Sequence, residues 1–143
     1  MPTIPTFVDT NILLYAASTN QKEAGKREAA RKVLSANPIC FSVQVAQEFF
    51  VNATRKLTPP LSRTDALEFL GRINPTIVAP LDYELFVEAI RLSERFQISY
   101  WDAAVVAAAK RLHCTTLYSE DLSDGQNFEG VIVTNPFSVV PNI

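Results

Sequence analysis

The sequence has few of the residues on which several common functional motifs depend. It has only four glycines among 143 residues, and they form neither a P-loop nor a dinucleotide-binding turn. The single histidine, His113, is not accompanied by the Gly-x-Ser-x-Gly turn of a serine hydrolase. Cys40, His113 and Cys114 lack the paired spacing of a zinc site. Nucleotide-binding loops, a serine-hydrolase triad and a zinc site are therefore not expected.

Long apolar segments and a strong excess of one charge are also missing. The longest unbroken apolar run spans residues 103–109, far short of the ~20 residues that a membrane-spanning helix needs. Residues 1–7 lack a cationic start followed by an apolar stretch, so we expect no secretion signal. A formal net charge of −2 argues against a protein that coats nucleic acid by bulk charge. It does not exclude a nuclease whose acidic cluster is neutralised by metal.

The cysteine content indicates the compartment. Two cysteines in a chain of this length do not make a disulfide framework. Both lie in apolar surroundings in the sequence, which favours buried, reduced thiols. We therefore expect a cytoplasmic protein that makes no membrane contact.

The remaining composition predicts a single globular domain over residues 1–143, with 48% hydrophobic and 20% charged residues. Short apolar runs alternate with amphipathic segments, which favours an α/β fold: an α/β/α sandwich around a mainly parallel sheet. The predicted strands are 6–8 (extended by Ile4), 39–41, 76–78, 115–118 and 131–133. The predicted helices are 9–16, 22–34, 43–56, 63–71, 82–96 (or from 81) and 100–112.

Apolar faces on the predicted helices are expected to pack inward. In the second helix the inward residues are Ala30, Val33 and Leu34. The third helix has the apolar positions Val43, Ala46, Phe49, Phe50 and Ala53. The fifth has Leu85, Phe86, Ala89, Ile90 and Phe96. For Tyr100 and Trp101 we expect core packing, with base stacking as the alternative.

Four carboxylates stand where a parallel sheet places functional groups. Asp9 directly follows the first strand, and Asp121 follows a late strand, so both belong at the carboxyl edge of the sheet. Glu48 lies about two turns into its helix, and Asp102 lies in the first turn of its helix. Crowded carboxylates repel one another unless a cation or protons compensate, and hard oxygen ligands suit Mg²⁺ or Mn²⁺.

Each carboxylate also has an ordinary structural explanation. Asp9 could serve only as an N-cap, and Asp102 could belong to a capping box begun by Ser99. Glu48 could pair along its own helix, and Asp121 sits in a polar turn. Taken singly, these explanations are at least as good as a ligand role. Taken together, the order and placement of the four residues favour one shared site.

Four acidic segments resemble, in order and spacing, the motifs of PIN-domain nucleases. They are residues 9–15 (DTNILLY) after an apolar strand, 47–49 (QEF), 100–103 (YWDA) before a small-residue helix, and 117–122 (LYSEDL). The resemblance extends over nearly the whole chain. Most small stand-alone members of this family are toxins of toxin–antitoxin pairs, of the kind called virulence-associated protein C. The sequence resembles this group.

The resemblance implies an endoribonuclease that depends on Mg²⁺ or Mn²⁺ and leaves a 5′-phosphate. It implies Asp9, Glu48, Asp102 and Asp121 as catalytic and metal-binding residues. An RNA substrate, a cognate antitoxin and a homodimer are also implied. The basic residues of two stretches are candidate RNA contacts, although each stretch is more often a solvated helix face: Lys22, Lys26, Arg27, Arg31 and Lys32 in the first, and Arg55 and Lys56 in the second.

The last motif departs from the family pattern. A second acidic residue often follows two positions after the first, where this chain has Ser123. Glu120 and Asp124 are the other acids of this segment, so either could support the site in addition to Asp121. Thr10 and Asn11 could hydrogen-bond the carboxylates, or they could serve only to start their helix.

Two other functional classes stay open. An aspartyl-phosphate phosphohydrolase could use Asp9 as its nucleophile, since a residue that ends a strand suits that chemistry. The haloacid-dehalogenase-like version usually has a second Asp two positions later, where this chain has Asn11. The remaining class is a non-catalytic interaction module with the PIN fold.

Overall fold

A six-stranded, mostly parallel sheet forms the centre of the computed structural model, which describes residues 5–138. The strands, in chain order, are β1 (Thr6–Val8), β2 (Ile39–Ser42), β3 (Ile77–Ala79), β4 (Thr116–Tyr118), β5 (Asn127–Phe128) and β6 (Val131–Thr134). Their order in the sheet is β3-β2-β1-β4-β6-β5, and only β5 runs antiparallel to its neighbour. The short strands β1 and β2 are buried along their whole length.

Within residues 5–138, six helices flank this sheet. They are α1 (Thr10–Ala17), α2 (Ala24–Ala36), α3 (Val43–Arg55), α4 (Arg63–Ile73), α5 (Tyr83–Phe96) and α6 (Tyr100–Arg111). Helix α1 packs on α2 and α3, and α3 packs on α4, whereas α5 and α6 pack on each other. The α/β/α sandwich with a mainly parallel sheet is confirmed. No helix among residues 5–138 combines the length and apolar character needed to cross a bilayer.

The element boundaries differ from the predictions in a few places. Strand β5 was not predicted, because it contains only two residues. It forms a tight hairpin with β6 through Glu129 and Gly130, which both have positive φ. Helix α2 begins later than expected because a 3₁₀ turn occupies Gln21–Glu23. The predicted extension of the first strand by Ile4 lies outside the described residues.

Two predicted apolar faces were partly wrong. In α3 the buried apolar residues are Val45, Phe49 and Ala53, while Val43, Ala46 and Phe50 are only half-buried. In α5 the buried residues are Leu85, Ala89 and Leu92, and the predicted inward residues Phe86 and Ile90 are 43% and 40% exposed. In both helices the apolar stripe is wider than the buried face, so residues at its edge remain partly in solvent.

The core continues through α6, which is lined on several sides by small residues. All positions from Ala103 to Ala109 are buried, and this composition lets the helix lie close to its neighbours. Cys40 and Cys114 are free and buried, as predicted. Burial, followed by the nearby Cys40, raises the pKa of the Cys114 thiol to about 12, so this thiol stays protonated at neutral pH.

Candidate active site

The carboxyl edge of β1 and β4 holds an acidic cavity of about 170 Å³. Strands β1 and β4 are parallel neighbours, with Val8 paired to Tyr118, so the residues after them emerge side by side. The backbone N–H of Asp9 donates to the carbonyl of Tyr118 at 3.0 Å, which fixes this junction. The cavity is lined by Asp9, Thr10, Asn11, Leu14, Glu48, Asn52, Trp101, Asp102, Val105 and Asp121.

Asp9 is the most buried of the four carboxylates, with only 5% of the residue exposed. It is the N-cap of α1, and its Oδ1 accepts from the backbone N–H of Thr10 at 2.7 Å. Its Oδ2 accepts from the Ser119 hydroxyl at 2.8 Å. Burial raises the pKa of Asp9 to about 6, with added repulsion from Asp121 and Glu48, while the two hydrogen bonds act in the opposite direction. Asp9 therefore caps α1 and also carries a negative charge that its burial makes unfavourable.

Glu48 faces the same cavity from α3. Its Oε2 accepts from the Thr10 hydroxyl at 2.9 Å, and its Oε1 accepts from Gln44 Nε2 at 3.0 Å. A pairing along the helix with a basic residue is not observed among the described residues. The Glu48 side chain pairs with Gln44 of its own helix and with Thr10 in the first turn of α1. Thr10 is therefore a link between two of the carboxylates.

Asp121 and Asp102 complete the acidic lining. Asp121 Oδ2 accepts from Asn11 Nδ2 at 3.2 Å, and its backbone N–H donates to the Ser119 hydroxyl at 3.2 Å. Asp102 lies in the first turn of α6, where its backbone N–H donates to the Ser99 hydroxyl at 3.1 Å. Burial, with smaller repulsion from Asp121 and Glu48, raises the pKa of the Asp102 carboxyl. The capping role thus belongs to Ser99, and the Asp102 side chain lines the cavity.

The other two acids of the last motif lie outside the cavity lining. Glu120 forms an ion pair with Lys26 and accepts from the Tyr15 hydroxyl at 2.9 Å. Asp124 Oδ1 accepts from the backbone N–H of Asn135 at 2.8 Å. Both side chains have structural partners, and of the acids in this segment only Asp121 lines the cavity.

The donor set suits a hard cation. Four carboxylates line one cavity, and the pKa values of two of them are raised by burial and by mutual repulsion. A bound cation would relieve that repulsion, and Mg²⁺ and Mn²⁺ prefer oxygen ligands. As the side chains stand, no group of three or more Asp, Glu, His or Cys residues in the described range 5–138 is arranged to hold a metal ion.

Most basic residues of α2 bind the protein itself. Arg27 donates to the carbonyl of Ser18 at 3.0 Å, and Arg31 donates to the carbonyl of Ala16 at 3.0 Å. Lys26 is engaged by Glu120 and Tyr15. Lys56 lies in a depression beside the acidic cavity, and the two share Asn11 and Leu14 in their lining.

Sequence reasoning missed the groups that hold the carboxylates in place. Ser119 is completely buried and touches both Asp9 and Asp121, and Gln44 is 5% exposed and holds Glu48. The position of Ser119 directly after a predicted strand was the available signal. Core packing, the expected role of Trp101, was wrong: this residue is 62% exposed, because α6 buries its small residues and turns the indole out at the cavity rim.

The Ser119 hydroxyl offers a direct test of this support. We expect Ser119→Ala to lower the free energy of unfolding by about 1–3 kcal/mol at pH 7.5, because the variant removes one of the two donors to the buried Asp9 carboxylate. Urea unfolding in EDTA measures this change. The loss should be smaller at pH 5, where Asp9 is largely protonated. Ser35→Ala, which removes an exposed hydroxyl, is the matched control. Equal losses for both variants would contradict a link between Ser119 and Asp9.

Comparison with solved structures finds the same fold in several toxins. The Mycobacterium tuberculosis toxin VapC20, which cleaves the sarcin–ricin loop, has a TM-score of 0.63 and 18% identity, with 81% of this chain and 89% of that chain covered. A toxin–antitoxin complex from Klebsiella pneumoniae has a TM-score of 0.66 and 17% identity, with 92% and 97% covered. DNA-bound VapBC from Salmonella typhimurium has a TM-score of 0.65 and 15% identity, with 93% and 98% covered.

Sequence comparison identifies the family. No curated protein matches the chain significantly. The model of the PIN domain matches residues 6–123, which include all four cavity carboxylates. Because this match spans well over half of the chain, the protein belongs to the PIN domain family.

Proposed function

We propose that this protein is a metal-dependent endoribonuclease, the toxin of a toxin–antitoxin pair. The observation that carries the proposal is the convergence of Asp9, Glu48, Asp102 and Asp121 on one cavity in a PIN-family chain. These residues come from four separate segments, so simple capping or local pairing does not explain their meeting. The relative from Mycobacterium tuberculosis is a toxin that cleaves an RNA loop, which supports the same class of substrate here.

The four carboxylates would hold the cation, with Mg²⁺ or Mn²⁺ favoured by their oxygen donors. When bound, such a cation acidifies water and offsets negative charge on a phosphodiester. The chain supplies the positioning. Ser119 and the backbone of Thr10 hold Asp9, while the Thr10 hydroxyl and Gln44 hold Glu48.

The polar residues around the carboxylates form a second layer of support. Asn11 donates to Asp121 and accepts from the backbone N–H of Glu120 at 3.2 Å, so it ties the loop after β4 to α1. A fixed first turn of α1 keeps Asp9, Thr10 and Asn11 in register with that loop. When no cation is bound, the negative charge of the cavity repels RNA phosphate. The positive charge of Lys56 lies in the depression beside the cavity, so Lys56 is the favoured contact to the RNA backbone.

Incubation of the purified protein with a mixed pool of structured RNAs tests the proposal. We expect cutting with Mg²⁺ or Mn²⁺ and none with EDTA. Binding of metal without cutting of any RNA would favour the non-catalytic PIN-fold module. Release of inorganic phosphate from small phosphoesters, with an acyl-phosphate trapped on Asp9, would favour the aspartyl-phosphate phosphohydrolase.

Asp9 is poorly arranged for the phosphohydrolase alternative. Both of its carboxylate oxygens already accept short hydrogen bonds, and the residue is 5% exposed. A nucleophile in that class must bring an oxygen within bonding distance of the phosphorus atom of a bulky phosphoester, which the burial of Asp9 opposes. A ligand of a small cation needs only a remaining lone pair, and each Asp9 oxygen that accepts one hydrogen bond keeps one.

Two variants decide which acid of the last motif completes the site. We expect Asp121→Asn to slow RNA cleavage at least tenfold, because Asp121 lines the cavity. Glu120→Gln should retain activity within about twofold, because Glu120 is paired with Lys26 and Tyr15 away from the cavity. Initial cleavage rates at saturating Mg²⁺ measure both effects. The opposite ranking would move the site to Glu120.

The partners follow from the same proposal. Several structural relatives are toxin–antitoxin complexes, which supports a cognate antitoxin for this chain. A homodimer is the expected assembly. Light scattering would then give twice the 15.9 kDa of one chain.

A further inference from the structure

Trp101 stands at the rim of the acidic cavity with its ring in solvent. It is the only tryptophan of the chain, and 62% of the residue is exposed. The cavity that Trp101 lines is the one that holds the four carboxylates. A large apolar ring exposed beside a cluster of negative charge needs an explanation, because tryptophan is highly buried on average in folded proteins.

Neighbouring groups hold Trp101 in a defined place. The residue belongs to the first turn of α6, which Ser99 caps. The ring of Tyr100 meets the Trp101 ring edge to face, with centroids 5.1 Å apart, and Tyr100 is itself braced by Phe86 at 5.7 Å. The carbonyl of Trp101 accepts from Gln44 Nε2 at 3.5 Å, and the same amide donates to Glu48. Gln44 therefore connects the backbone of Trp101 to one of the cavity carboxylates.

An exposed indole beside a phosphate-processing site suits one kind of occupant. Unpaired nucleobases stack on aromatic side chains, and every base offers a face for this contact. An apolar protein segment packed on Trp101 would close the cavity over four carboxylates and remove them from water without a compensating charge, which is unfavourable. A nucleotide brings its base to the ring while its phosphate stays at the cavity.

We propose that Trp101 stacks on the nucleobase next to the scissile phosphodiester, so that the protein selects RNA in which this base is unpaired. The inference rests on the proposed ribonuclease function and specifies its substrate class. Trp101 is a positioning residue for the base, and Asp102, its neighbour in sequence, faces the phosphate. Both residues line the same cavity, so the base that stacks on Trp101 would belong to a nucleotide at the cut.

Trp101 fluorescence tests this contact without interference from another tryptophan. The Asp9→Asn variant, which keeps the RNA intact, is titrated with a short single-stranded RNA in Mg²⁺. We expect the emission to be quenched as binding proceeds. An oligomer of the same length with abasic sugars should bind through its backbone and leave the emission nearly unchanged. The same bases locked in a duplex should quench little.

Substitutions give a second measurement. We expect Trp101→Ala to raise the KM for a cleavable single-stranded RNA about tenfold with kcat changed less than about threefold, because the variant loses the stacking of one base on an aromatic ring. Trp101→Phe should recover most of the loss. The matched control is Tyr83→Leu, which removes another exposed aromatic residue that does not line the cavity.

Different results would overturn the stacking proposal and the nuclease proposal. RNA that binds, by anisotropy of a labelled strand, without quenching Trp101 and with equal affinity for Trp101→Ala would overturn the stacking proposal and leave the nuclease proposal standing. Absence of metal-dependent cutting by the wild type would overturn the nuclease proposal, while the quenching experiment still decides the contact. Emission that is blue-shifted before RNA is added, and that changes with protein concentration, would show a second copy on Trp101 and overturn the stacking.

Discussion

Replacement of Asp9 by Asn is expected to lower the rate of RNA cleavage by about 1,000-fold or more. Asparagine keeps the size of the side chain and one acceptor oxygen, so the cap on α1 can survive. It removes the negative charge that lies deepest in the acidic cavity. Charge stabilisation at such sites contributes several kcal/mol, and about 4 kcal/mol corresponds to this loss in rate. Initial rates on a defined RNA in Mg²⁺, with both proteins prepared in parallel, measure it.

The control for this experiment is Asp65→Asn, which neutralises an exposed carboxylate in the first turn of α4. This variant removes the same charge at a distance from the cavity, so its cleavage rate should match that of the wild type. Circular dichroism shows whether each variant is folded. An Asp9→Asn protein that still cuts RNA within tenfold of the wild-type rate would place the chemistry elsewhere or indicate a contaminating nuclease.

The placement of Asp9 and Asp121 could be predicted because it depends on topology. Both residues follow short strands, and the carboxyl ends of neighbouring parallel strands meet at one edge. Glu48 and Asp102 were added because their predicted helices begin near that edge, and the resemblance to PIN-domain motifs supported them. Their positions depend on how α3 and α6 pack, which a single sequence does not specify. That these four residues bind metal and act in catalysis stays a prediction, as does the single-domain assignment over 1–143.

The groups that could not be predicted are those defined by tertiary contacts. Ser119 looked like a residue of a polar turn, and its role appears only when β1 and β4 bring Asp9 against it. Trp101 was assigned to the core because large aromatic residues are usually buried. Its helix instead buries the small residues from Ala103 onward, so the indole stays at the rim. For Trp101 the residue type predicted burial, but the position of the residue on α6 leaves it exposed.

The same Asp9 that serves the site should destabilise the metal-free protein. Its pKa is about 6 in the folded chain against an ordinary value of 3.8, so the folded state binds the proton more tightly than the unfolded state does. Stability therefore falls as pH rises through this interval, by about 3 kcal/mol in total. In EDTA, Asp9→Asn should consequently be about 2 kcal/mol more stable than the wild type at pH 7.5, after allowance for a weaker bond from Ser119.

Thermal unfolding of the metal-free protein between pH 7.5 and pH 5 separates the contribution of Asp9 to stability from that of the ion-paired carboxylates. The wild type should gain about 1.4 kcal/mol on acidification, or roughly 3–5 °C in Tm, as Asp9 takes up its proton. The ion-paired carboxylates Glu88, Glu129 and Asp82 have lowered pKa values, so their contribution is lost only at more acid pH. Asp9→Asn should show a much flatter profile. A wild-type Tm that falls steadily from pH 7.5 to pH 5 would mean that the buried charge is already compensated without metal. In that case the repulsion that makes this cavity suited to a cation would be absent.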